Sequence, residues 1–155
     1  MRVLIVDDQR MKIEQAKRIL VNIFPDAEYR SAKNFQRAIS MLEGYAWDLV
    51  ILDMSFSIND DPSDYAGFEG LAGVQVLQYL FRSDIKTKVV IFSAHTQFED
   101  PYLSVGSLED LQELVLEYFE ELCLGCVYSK LPDAELEVVF RELTEGIEGI
   151  NEKTK

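Results

Sequence analysis

The sequence predicts an α/β domain built on a parallel sheet with helices on both faces. Short apolar runs end in polar or charged residues, as in Val3-Leu4-Ile5-Val6 before Asp7-Asp8 and Leu49-Val50-Ile51-Leu52 before Asp53. Unbroken runs of this kind suit strands buried on both sides, the usual state of a parallel sheet. Stretches with apolar residues at helical spacing lie between them, so that strand and helix alternate along the chain. Right-handed crossovers then distribute the helices over the two faces.

Arg2–Val6 reads as the first strand. Gln9–Phe24 follows as a helix with Ile13, Ala16, Ile19, Leu20 and Ile23 on one face, and Pro25 stops it. Ala27–Arg30 is a short second strand. Ser31 is placed to cap a helix that buries Phe35, Ala38, Ile39 and Leu42 and ends at Gly44. Trp47–Asp53 is the central strand. Residues 54–72, broken by Pro62, Gly67 and Gly70, read as a long loop; with Phe56, Tyr65 and Phe68 among its acids, it is either a disordered insertion or a lid over the site.

Val74–Phe81 is the next helix, and Lys88–Phe92 a fourth strand running into Ser93-Ala94. A polar connector, His95–Gly106, leads to a helix capped by Ser107, with Asp110 in the capping-box position. Leu108, Leu111, Val115, Tyr118, Phe119 and Leu122 repeat along it. Cys126–Ser129 is the fifth strand, ending at Lys130. Asp133 caps a last helix striped by Leu136, Val139, Phe140, Leu143 and Ile147. Residues 1–150 thus read as a single domain and 151–155 as a disordered polar tail.

The formal net charge of −13 argues against nucleic acid or an anionic membrane as partner. No apolar run approaches membrane-spanning length, and the first one breaks at Asp7, so a cytoplasmic location is expected. Between Lys88 and Lys130 there is no Lys or Arg, while acids accumulate from Glu99 to Glu121; the main reading is a solvated face, and the sharper one a docking surface for a basic partner. Cys123 and Cys126 form a CxxC that closes a helix rather than opening one, which suits two thiols without chemistry.

Asp7, Asp8, Asp53, Ser93 and Lys130 all fall at C-terminal strand ends, where open α/β sheets bind ligands. Two unit charges about 5 Å apart repel by roughly 3 kcal/mol at an effective dielectric of 20. Three acids together therefore call for a cation, and an all-oxygen set with few protein ligands suits Mg²⁺. Singly, each residue has a plainer reading: an N-cap pair, a loop acid, a capping serine, an exposed lysine.

In this order and at these strand ends, the residues resemble the receiver domain of two-component response regulators over essentially the whole folded length. The resemblance implies a stand-alone receiver with a flavodoxin-like, doubly wound five-stranded parallel sheet of order 2-1-3-4-5. It implies that Asp53 accepts a phosphoryl group from a sensor histidine kinase or phosphotransfer protein. Asp8 and Asp53 would hold Mg²⁺ directly, Asp7 through water, and Ser55 by its backbone carbonyl. Lys130 and the Ser93 hydroxyl would meet phosphoryl oxygens, and output would pass to a downstream protein target. The chain would not be an enzyme beyond self-phosphorylation and slow autodephosphorylation.

Some residues depart from the family pattern. Leu131 stands between Lys130 and Pro132, Val127 takes the place of the switch aromatic with Tyr128 beside it, and Ser93 replaces the commoner Thr. His95 falls where the family tunes phosphate loss. The alternative is a degenerate pseudo-receiver that binds a partner without phosphate. An aspartate-nucleophile phosphohydrolase would need an acid two residues past its nucleophile, where Gln9 and Ser55 stand. A flavin carrier would set Asp7-Asp8 against the flavin's phosphate.

Overall fold

The structure, a computed structural model, describes residues 1–54, 72–95, 97–100 and 105–153. In chain order the elements are β1 (Arg2–Val6), α1 (Arg10–Ile23), β2 (Glu28–Ala32), α2 (Phe35–Gly44), β3 (Leu49–Leu52) and α3 (Ala72–Arg82). They continue with β4 (Lys88–Ser93), β5 (Gln97–Asp100), β6 (Val105–Ser107), α4 (Leu108–Tyr118), β7 (Cys123–Tyr128) and α5 (Asp133–Lys153). Five strands pair in parallel in the order β2-β1-β3-β4-β7. With the β5–β6 hairpin set aside, that is the 2-1-3-4-5 order expected.

Alternate residues of the central strands serve opposite faces, as the two-residue period of a strand requires. Leu4, Val6, Val50 and Leu52 pack with Ala38 and Leu42 of α2, Val76, Leu77 and Leu80 of α3, and Leu111 and Val115 of α4. Val3, Ile5, Leu49, Ile51, Val90 and Phe92 pack with Ala16, Ile19 and Leu20 of α1 and Leu136 and Phe140 of α5. The sheet is thus doubly wound and covered on both sides. No described helix is long and apolar enough to cross a membrane.

Four local expectations need correction. The cap of α2 is Asn34, whose side chain accepts the Arg37 N–H at 2.9 Å. Ser31 is unavailable for that role because β2 runs on to Ala32, with Ser31 paired to Ile5. The connector after β4 contains an antiparallel hairpin, β5 with β6, which delivers the chain to Ser107, the N-cap of α4.

β7 starts three residues earlier than the apolar run suggests and contains both cysteines. The ladder skips Leu124 between the Val89–Cys123 and Val90–Gly125 pairs, a bulge that Gly125 follows at φ +157°. Finally, the α5 backbone stays helical to Lys153, into the stretch expected as a tail. The 54–72 lid expectation falls on residues that, apart from Met54 and Ala72, lie outside those described.

Candidate functional site

The sheet ladder positions the acids directly. Beyond the last pair of β1 and β2, the Asp7 N–H donates to the Ala32 carbonyl at 3.0 Å. Beyond the last pair of β1 and β3, the Asp53 N–H donates to the Val6 carbonyl at 2.9 Å. Both carboxylates therefore leave the same edge of the sheet from adjacent strands, and Asp8 joins them from the turn into α1. One carboxylate oxygen from each of Asp7, Asp8 and Asp53 lies within 4.8 Å of the others. Asp7 and Asp53 are buried and Asp8 is exposed.

An ammonium group lies among these acids, and it belongs to Lys12. Its Nζ is 2.8 Å from Asp7 Oδ2 and 3.1 Å from Asp53 Oδ1. The Lys12 side chain is only 7% exposed, so these are interior ion pairs rather than surface ones. Nζ also stands 5.7 Å from the centre of the Phe92 ring, which closes the pocket from the β4 side. Asp7 Oδ1 is engaged separately, accepting the Gln9 N–H at 2.9 Å. Burial raises the Asp53 carboxyl to about 6; Lys12 pulls it down, and the charges of Asp7 and Asp8 push it up.

Ser93 ends β4 fully buried, its hydroxyl donating to the His95 carbonyl and accepting the His95 N–H, both at 3.0 Å. Lys130 follows β7 in a turn and is exposed; no ion pair joins it to a described acid. The end of β7 is instead tied to α1, with Gln15 Nε2 donating to the Ser129 carbonyl at 2.9 Å. Lys12 and Gln15 lie one turn apart, so a single face of α1 serves both the acids and β7. A hollow of about 850 Å³ opens elsewhere, lined by Trp47, Phe81, Thr87, Tyr118 and Phe119, and none of the three acids borders it.

Solved structures with this architecture are numerous. The receiver domain of a putative LuxO repressor protein from Vibrio parahaemolyticus matches with a TM-score of 0.64 at 17% identity, over 97% of this chain and 94% of that one. A CheY-like response regulator receiver domain from Methanospirillum hungatei gives 0.63 at 17%, over 96% of each chain. The response regulator TrrA from Thermotoga maritima, solved with Mg²⁺ and BeF, gives 0.59 at 20%, over 92% of this chain and 97% of that one.

The fold is that of a receiver domain. No protein-family model matches the sequence, and no curated protein matches it either.

Against the receiver pattern, the fold brings Asp7, Asp8 and Asp53 together and sets Ser93 at the next strand end. Lys130 is exposed and makes no ion pair with them, and Ser55 lies outside the described residues. The group that sequence reasoning missed is Lys12. The signal was present: Lys12, Ala16, Ile19, Leu20 and Ile23 form the buried face of α1, and a lysine in that phase, one turn after two acids, has few places to put its charge.

The donor set fits a hard divalent ion. Asp7, Asp8 and Asp53 each offer a carboxylate oxygen within 4.8 Å of the others, an all-oxygen set that would hold Mg²⁺ and supply charge neutralisation there. The two thiols offer no second chemistry. Both are free, and burial pushes Cys123 up to about 11 and Cys126 higher still, far from the low values of reactive cysteines.

Proposed function

We propose that this chain is a response-regulator receiver that accepts a phosphoryl group on Asp53 and signals through changed protein contacts in the cytoplasm. The observation that supports it is the convergence of three carboxylates at the C-terminal edge of a receiver-type sheet. An Asp53 oxygen would attack the phosphorus of a phosphohistidine on a sensor kinase or phosphotransfer protein, forming the P–O bond as the P–N bond breaks and the imidazole nitrogen takes a proton. Mg²⁺ on Asp8, Asp53, the Ser55 carbonyl and, through water, Asp7 would neutralise phosphoryl charge, the main requirement of such transfers. Ser93 would donate its hydroxyl to a phosphoryl oxygen once its bonds to the His95 backbone are released. Lys130 would neutralise another from the turn after β7.

A second reading has its own observation. Lys12 pairs with both Asp7 and Asp53, and Lys130 is exposed without an ion pair to them, which suits a pseudo-receiver that binds a downstream protein without phosphate. Incubation with acetyl phosphate and Mg²⁺, followed by intact-mass spectrometry, separates the two. The phosphoacceptor reading expects one added phosphoryl group on wild type and none on Asp53→Asn. A wild type that gains no mass leaves the pseudo-receiver.

A further inference from the structure

Lys12 occupies a helix position that its neighbours Ala16, Ile19, Leu20 and Ile23 mark as interior. Helical side chains lean toward the helix N-terminus, and from α1 that direction leads back to the ends of β1 and β3. The stem is buried and the ammonium meets Asp7 and Asp53 at 2.8 and 3.1 Å. Burying an ammonium is unfavourable unless carboxylates compensate it, and here two do, one from each strand. A divalent ion held by Asp53 directly and by Asp7 through water would crowd this ammonium with like charge.

We infer that Lys12 is a built-in counter-cation that competes with a divalent ion for Asp7 and Asp53, and that its side chain swings out before the ion enters. The inference rests on the receiver reading of the pocket and deepens it. In the resting state the fold supplies its own positive charge, and Asp53 is covered by the lysine. In the loaded state the lysine is released from the acids toward solvent.

The test uses Mn²⁺ as the probe, its binding followed by electron paramagnetic resonance of the free ion, on wild type, Lys12→Met and Lys12→Gln. Removing the ammonium tightens Mn²⁺ binding by about tenfold or more. In parallel, Mg²⁺ raises the labelling of Lys12 in wild type by an amine-acylating reagent, read by peptide mass spectrometry. Equal Mn²⁺ affinity in all three proteins, with Lys12 labelling unchanged by Mg²⁺, overturns the inference while the metal reading stands. No binding by any of them removes the metal reading and the inference together. If Lys12→Met fails to fold, Lys12→Gln and the labelling of wild type decide the matter.

Discussion

Gly73 packs directly against the backbone of Asp53. A Cβ added to Gly73 would stand 2.5 Å from the Asp53 carbonyl oxygen, and the Gly73 N–H donates to the Met54 carbonyl at 3.0 Å. The second residue of α3 thus sets the position of the strand end that carries the central acid. Backbone cannot yield as a flexible side chain does, so Gly73→Ala must displace either α3 or Asp53. The expected loss is about 1–3 kcal/mol, the usual cost of overpacking, read as a lower urea midpoint, together with weaker Mn²⁺ binding. Unchanged stability and binding would mean that the contact is looser than it stands.

The two lysines separate cleanly by stability. Lys12→Met breaks a buried pair and leaves carboxylates uncompensated, which typically costs about 3–5 kcal/mol. Lys130→Ala removes an exposed side chain in a turn and should stay within about 0.5 kcal/mol of wild type. Urea unfolding of both variants at pH 8 without divalent ions gives the comparison. A larger loss for Lys130 than for Lys12 would reverse the assignment of which amine serves the pocket.

Asn34 caps α2 from a buried position, accepting the Arg37 N–H. Asn34→Ala should lower stability by about 1–2 kcal/mol, while Ser31→Ala, in β2, should leave the start of α2 intact. Hydrogen exchange of the Arg37 amide checks this, since its protection should fall in the first variant only.

The thiols give a pH dependence whose sign is fixed by their burial. Cys123 holds its proton to about 11 in the fold, whereas an exposed thiol releases it near its ordinary value of 9. Stability from this group is therefore complete below about 9 and falls as pH rises toward 11. At pH 8 the native protein should react with a thiol reagent far more slowly than the urea-unfolded chain. Cys123→Ala should flatten the decline of stability between pH 9 and 11.

The sheet was legible because its signal is local. Four-residue aliphatic runs ending in acid can hardly be anything but buried strands, and Ser107 with Asp110 marked the start of α4 where its cap lies, the Asp110 N–H donating to Ser107 Oγ at 3.1 Å. Boundaries that depend on neighbouring strands were less legible. β2 extends to Ala32 because β1 offers partners up to Val6, and no propensity in Glu28-Tyr29-Arg30-Ser31 announces that length. The β5–β6 hairpin is short and polar, which leaves no periodicity to read. Lys12 was hidden by its type: lysines are almost always exposed, and only the spatial meeting of β1 with β3 creates the place it fills.

A pocket that carries its own positive charge has a consequence for how this domain lives in a cell. On the receiver reading, its assembly should not wait on the supply of any dissolved ion. Chelators should leave the resting shape untouched, and a swing in magnesium level should alter only how often the proposed site is open to a donor.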